Sequence, residues 1–154
     1  YPEVDRDLLL LGIFLHDSGK VRELSYQRMF GYTDEGQLLG HLAIGIEMLQ
    51  SRAAQVPDLT GEPFPRELLM RLKHMILSHH GSLEFGSPKV PMTPEAVALH
   101  AIDTLDTRIH ICLREIREDR GTGAGTQYNP ALDRRLYKGG AGDSETDGDS
   151  SYTQ

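Results

Sequence analysis

The stretch Leu8-Leu9-Leu10-Leu11-Gly12-Ile13-Phe14-Leu15-His16-Asp17-Ser18-Gly19-Lys20 constrains this chain more than any other. A nearly unbroken apolar run delivers an adjacent His and Asp, then a glycine, then a lysine. Such a run predicts a helix buried on most sides, stopped at Gly19, with the pair leaving from its C-terminal end. A neutral imidazole beside a carboxylate suits a divalent metal. Taken alone, a His-Asp pair at a helix end is more often a local hydrogen bond or a charge pairing with the helix dipole. What shifts the balance lies downstream, where His41, the doublet His79-His80 and Asp103 each sit in an apolar pattern of helical period.

At 154 residues the chain is expected to be one domain with a sizeable core. No apolar stretch approaches the ~18 residues of a membrane span, and the amino terminus has no basic leader. A soluble, cytoplasmic protein is expected, with no membrane partner. Cys112, flanked by Ile111 and Leu113, has no second cysteine to pair with and reads as a packed, reduced thiol. Net charge is −7, but Asp143, Glu145, Asp147 and Asp149 carry four of those charges in a stretch without any base. The remaining body is mildly acidic, which leaves a polyanionic substrate open once cations are bound. The chain begins at Tyr1 instead of Met, so a piece of a longer protein is expected.

Asp5 or Asp7 is placed to cap the first helix. Val21 to Tyr32 reads as a loop or short hairpin. Thr33-Asp34-Glu35 opens a second helix whose stripe is Leu38, Leu39, Leu42, Ile46, Met48 and Leu49, with His41 in its early turns. Gly36, Gly40 and Gly45 each cost that helix about 1 kcal/mol relative to Ala, so close packing or a ligand near the backbone must offset them. Val56 to Pro65 is a Pro- and Gly-rich connection. A third helix follows, with Pro65 in its first turn and Leu68, Leu69, Leu72, Met75, Ile76 and His79 on one face. Ser82 to Met92 is loop. Thr93-Pro94-Glu95 starts a fourth helix reaching Ile116 or a little beyond, its inner face drawn from Ala96, Leu99, Ile102, Asp103, Leu105, Ile109, Cys112, Leu113 and Ile116. Gly121 to Thr126 reads as a flexible linker, and Tyr128 to Lys138 as a short basic-aromatic segment able to dock on the body. Residues 139–154 read as a disordered acidic tail. The fold class expected is all-α, a helical bundle with its site between helices.

Ligand-type residues thus fall on four predicted helices: His16 and Asp17, His41, His79 and His80, and Asp103. Imidazoles and carboxylates without thiolate suit Mn, Fe, Zn or Mg. Two ions about 3.5–4 Å apart, bridged by one carboxylate, can activate water and clamp an in-line displacement at phosphorus, and Asp17 is the natural bridge. Lys20 either places positive charge on a phosphate oxygen or neutralises a helix C-terminus; the sequence leaves the two open. His74 is expected to be a core or surface histidine. His100 with Asp103, and Asp106 with His110, share helix faces and suggest local hydrogen bonding, with support of a metal centre as the alternative. Arg108 is either a substrate-phosphate contact or a solvated side chain.

The string Leu15-His16-Asp17-Ser18-Gly19-Lys20, followed by His41, His79-His80 and Asp103, resembles the HD-domain metal-dependent phosphohydrolase superfamily. More narrowly, Gly36-Gln37-Leu38-Leu39-Gly40-His41, then Ser78-His79-His80-Gly81-Ser82-Leu83-Glu84-Phe85-Gly86-Ser87-Pro88, then Leu99-His100-Ala101-Ile102-Asp103-Thr104-Leu105-Asp106 is similar to the bacterial HD-domain 3′-to-5′ exoribonucleases of the YhaM type. The resemblance spans residues 8–138, which implies an HD-type phosphohydrolase domain over 1–138. It implies metal ligation by His16, Asp17 and Asp103 at one ion and by Asp17, His41, His79 and His80 at the other, with Lys20 and Asp17 catalytic and Lys20 and Arg108 toward substrate. The implied cofactors are two divalent ions, Mn foremost, with Fe, Mg, Zn or Co as alternatives. The superfamily also uses a His on a preceding helix, and YhaM-type members carry an amino-terminal OB-like nucleic-acid module. Neither is present here, so a catalytic domain cut after its first ligand helix is expected.

The function implied is divalent-metal-dependent hydrolysis of single-stranded RNA from the 3′ end, releasing nucleoside monophosphates. The residues by themselves reach metal-assisted phosphoester hydrolysis; RNA and polarity come from the resemblance. The alternatives are a phosphohydrolase of small nucleotides and a catalytically silent HD module that binds or regulates. The sequence does not indicate an oligomeric state.

Overall fold

The computed structural model describes residues 1–26 and 29–139; the expected acidic tail beyond Gly139 lies outside them. The chain divides into two compact units, Tyr1–Thr104 and the residues from Leu105 onward. Among the described residues no helix is long and apolar enough to cross a membrane.

In the first unit, Asp5 caps α1 (Arg6–Leu15) by accepting from the backbone N–H groups of Asp7 and Leu8, which resolves the choice between the two aspartates. Leu8 and Gly12 are buried, whereas Leu10 and Phe14 stand 52% and 79% exposed. The apolar run is therefore buried on one face and not on most sides. A short helix α2 (Lys20–Glu23) follows, so Val21 to Glu23 is helical where a loop or short hairpin is expected; the two-residue antiparallel pair β1 (Leu24–Ser25) and β2 (Gly31–Tyr32) then gives the hairpin of those two alternatives.

Thr33 caps α3 (Asp34–Ala53), and Gly40 interrupts that helix with φ +71° and ψ 160°. Only glycine adopts this conformation freely. The kink rotates the first turns away from the core, so Leu38 and Leu39 are exposed, while Ile44 and Leu49 are buried. The stripe read across Leu38 to Leu49 assumed one continuous helix, and it holds only after the kink. The other two glycines mark close approach: a Cβ on Gly36 would lie 2.3 Å from the Glu23 carbonyl oxygen, and Gly45 packs against Ile76 and Gly19. Gly19 is tighter still, its missing Cβ falling 2.0 Å from the His41 carbonyl oxygen. Gly36→Ala should therefore destabilise by about 1–3 kcal/mol in urea unfolding, the cost of overpacking against an immovable backbone, although Ala is the better helix former. A more stable variant would contradict this packing.

The expected Pro-rich connection contains one short helix, α4 (Val56–Thr60), ended by the left-handed Gly61. Pro65 lies just outside α5 (Arg66–Ser78) as its N-cap, not in its first turn. A 3₁₀ turn (Leu83–Phe85) sits in the following loop, and α6 runs Pro94–Glu118. The core joins Leu8, Leu49, Leu72, Met75, Ile76, Ala96 and Leu99. Buried Glu95 ties the N-terminus to α6 by accepting from the Asp5 N–H at 2.9 Å and pairing with Arg71 at 2.9 Å. Burial works to raise its carboxyl, but the Asp5 and Arg71 contacts outweigh burial and hold it below the ordinary value. A lowered folded value means the contribution is full above the unfolded pKa of about 4.3 and is lost as pH falls through the folded one. The Tm gap between wild type and Glu95→Gln should be widest near neutrality and close below about pH 4; a gap independent of pH would contradict this.

In the second unit the later α6 positions Leu105, Ile109 and Leu113 are 58%, 49% and 52% exposed. Of the inner face expected over the whole helix, Ala96 and Leu99 are buried, Asp103, Cys112 and Ile116 are half-buried, and Ile102 in the first unit is exposed like the three later positions. Gly121 to Thr126 is a hydrogen-bonded loop instead of a free linker. Asp119 accepts from the Gly121 and Gln127 N–H groups and from Lys138 Nζ, and Thr126 N–H donates to the Leu136 carbonyl at 2.8 Å.

Candidate metal centre

His16 follows α1 directly, and its Nδ1–H donates to the Ile13 carbonyl at 2.7 Å, turning Nε2 outward. His79 does the same at the end of α5, donating from Nδ1 to the Ile76 carbonyl at 2.8 Å. His41 stands immediately after the Gly40 kink, where a helix begins afresh, and Glu23 meets it there. Oε1 of Glu23 accepts from the His41 backbone N–H at 2.9 Å and from its Nδ1 at 3.2 Å. In all three rings the Nδ1 proton is committed to an acceptor, so Nε2 presents a lone pair.

Asp17 lies between these rings and divides its two oxygens. Oδ2 is 3.4 Å from His16 Nε2 and 2.7 Å from Lys20 Nζ; Oδ1 is 3.6 Å from His41 Nε2 and 3.7 Å from His79 Nε2. Asp103 reaches the same end as His16, with Oδ1 3.7 Å from its Nε2. Two donor groups result: His41, His79 and His80, and His16, Asp17 and His79, each with its donor atoms within 4.8 Å of one another. Separations of 3.4–3.7 Å are long for hydrogen bonds, but ligands held about 2.0–2.2 Å from a common ion sit roughly this far apart.

Among the described residues, five buried side-chain atoms have no hydrogen-bond partner, and three of them belong to this cluster: Asp17 Oδ1, His41 Nε2 and His80 Nδ1. Orphaned buried polar atoms are costly, and a cation held by the His41, His79 and His80 group with Asp17 beside it would relieve that cost. The protonation states of Asp17, His79 and His80 agree, whereas His16 has a proton to give up on binding. Burial pushes His79 down to about 4 and, with the neighbouring His41, also lowers His80. Burial works to raise Asp17, but hydrogen bonds and charge from His16 and Lys20 hold it well below the usual carboxylate range. His16 is raised, chiefly by the Asp17 carboxylate beside it. Anionic carboxylate and neutral imidazoles are the forms that bind metal.

The structure thus brings His16, Asp17, Lys20, His41, His79, His80 and Asp103 together within the first unit. Arg108 belongs to the second unit, where it lines a cavity of about 180 Å³ with Ile109, Cys112, Leu132, Arg134 and Leu136. Two supporting residues escaped the sequence reading in whole or part. Glu23 was not singled out; a lone Glu in a charged tetrapeptide carries no periodic signal, and only the hairpin that returns the chain to His41 gives it a role. His100 was matched with Asp103, yet its Nδ1–H donates to the His79 carbonyl at 2.7 Å. Its ring also fills the space beside Gly81, where a Cβ would lie 2.2 Å away. His74 accepts the Met92 N–H at 2.9 Å, away from the cluster.

The family described as HD domain matches residues 1–108. The chain belongs to the HD-domain family. This HD-domain chain is also 45% identical over 137 residues to a protein named 3′-5′ exoribonuclease YhaM from Bacillus subtilis. Proteins of the same name from Bacillus velezensis and Oceanobacillus iheyensis are 46% and 41% identical over the same length. Each match takes in 89% of this chain and 41% of the relative, so the chain spans well under half the length of the curated proteins it matches. No solved structure matches it significantly. Divalent-metal dependence comes with the HD-domain family, and the donor clusters described above fit it.

Proposed function

We propose that this chain is the hydrolytic domain of a divalent-metal-dependent 3′-to-5′ exoribonuclease, with the HD-type domain spanning residues 1–138. The observation that carries the reading is Asp17, whose Oδ2 faces His16 and Lys20 while its Oδ1 faces His41 and His79. RNA and polarity rest on the names of the relatives. Two ions fit the reading, one toward His16, Asp17 and Asp103 and one toward Asp17, His41, His79 and His80. Mn is the first choice for this donor set, with Fe, Mg, Zn or Co as alternatives. Metal bound there supplies a water of lowered pKa and neutralises charge on phosphoryl oxygens.

The side chains do the rest. Asp17 and Lys20 act as the catalytic pair. The Lys20 ammonium is held at 2.7 Å by Asp17 and is 45% exposed, so it can turn a proton toward a phosphate oxygen while remaining anchored. Glu23 and His100 hold the rings of His41 and the carbonyl of His79 in place. Arg108 is kept as a contact for substrate phosphate. The cytoplasm is the setting proposed, and an OB-like nucleic-acid module in the longer protein would supply affinity for single-stranded RNA.

End-labelled oligoribonucleotides with Mn²⁺ test this. A 5′ label should yield a ladder shortening one nucleotide at a time, and a 3′ label should appear at once as mononucleotide. Intact RNA alongside turnover of free nucleotides would overturn the exoribonuclease reading in favour of a small-nucleotide phosphohydrolase.

A further inference from the structure

Next to the metal centre lies a cavity of about 390 Å³ lined by Leu39, Gly40, His41, Leu77, His80 and Phe85 among others. His41 and His80 line both the cavity and one of the donor groups, so the two are continuous. The remaining lining is largely apolar, and two of its side chains face outward in a way packing does not explain. Leu39 is 54% exposed, lifted there by the Gly40 kink, and Phe85 is 73% exposed.

Phe85 is exposed but firmly placed. It ends the 3₁₀ turn Leu83–Phe85; its N–H donates to the Ser82 carbonyl at 3.1 Å, and Gly86 closes the turn with φ +79°. The next residue, Ser87, is 2% exposed and fastens the loop to α5, its hydroxyl lying 2.9 Å from the Leu77 carbonyl. A rigid turn that holds an aromatic face open to solvent beside a charged centre is the arrangement proteins use to stack bases. The volume lies near the lower end for small-ligand pockets, about 300–1,000 Å³, which suits one base with its sugar and not a run of nucleotides.

We propose that this cavity is a nucleobase subsite in which Phe85 stacks on the base of the 3′-terminal nucleotide while its phosphate lies at the His41 and His80 end. This rests on the exoribonuclease reading and adds to it a device that seats one nucleotide per cut. Stacking is tolerant of base identity, so the subsite should serve all four bases.

Two measurements test it. Wild type should show a KM about 10- to 100-fold higher for an oligoribonucleotide ending in an abasic ribose than for its normal counterpart, the order expected of one base–aromatic stack. Phe85→Ala should abolish that discrimination, and Phe85→Tyr should restore it. The chain has no tryptophan, so Phe85→Trp adds a single fluorophore. With Mg²⁺ present, AMP should quench it saturably and ribose 5-phosphate should not. Processive RNA shortening without an abasic penalty and without AMP quenching would overturn the subsite and leave the function standing. Saturable AMP quenching in a chain that leaves RNA intact would support the subsite and overturn the exoribonuclease.

Discussion

Asp17→Asn is expected to lower kcat/KM for oligoribonucleotide by more than about 10³-fold, beyond the ~10–100-fold typical of removing an outer partner. The reason is positional. Oδ1 faces His41 and His79 while Oδ2 faces His16 and Lys20, so one substitution removes the charge that faces both sides of the cluster. Asn keeps the shape and one acceptor oxygen, so the loss cannot be assigned to a cavity. Steady-state kinetics in saturating Mn²⁺, with circular dichroism to verify folding, measures it. A folded Asn variant with more than a tenth of wild-type activity would remove Asp17 from the bridging role.

The second large effect is expected at Glu23, which touches no ligand-binding atom. Its Oε1 holds both the backbone N–H and the Nδ1–H of His41, fixing the ring so that Nε2 is the nitrogen left to bind. Glu23→Ala should weaken Mn²⁺ binding by about 100-fold and Glu23→Gln by about 10-fold, since Gln can still accept but carries no charge. Calorimetric titration supplies the Kd values. A purely structural Glu23, buried at the close approach of Gly36, would instead lower Tm and leave Kd unchanged.

The parts of the fold that follow one uninterrupted period were legible in the sequence. Leu72, Met75, Ile76 and His79 share a face as read, because α5 has no break between Arg66 and Ser78. Leu38 and Leu39 were misplaced because Gly40 changes the phase of α3, and a glycine that kinks a helix looks in sequence like one that packs closely within it. The candidate ligands were legible because imidazoles and carboxylates interrupting apolar helices are rare and chemically directional. What surrounds them was not. Glu23 depends on a hairpin return, and His100 reaches a backbone carbonyl that carries no residue identity. The exposed Leu105, Ile109 and Leu113 show the limit of periodicity, which gives the apolar face of a helix but not what lies against it.

Convergence of Asp17, His41, His79 and His80 on a cation is the claim everything else rests on. Titrating the metal-free chain with Mn²⁺, with free ion counted by electron paramagnetic resonance and Tm followed in parallel, tests it directly. At least one ion per chain should be taken up, and two if both donor groups fill. Tm should rise as expected of a ligand worth about 2.7 kcal/mol at 100 times its Kd, and a His41→Ala, His80→Ala double variant should lose both responses. Uptake below one ion per chain, or equal uptake and stabilisation in the double variant, would contradict the metal centre.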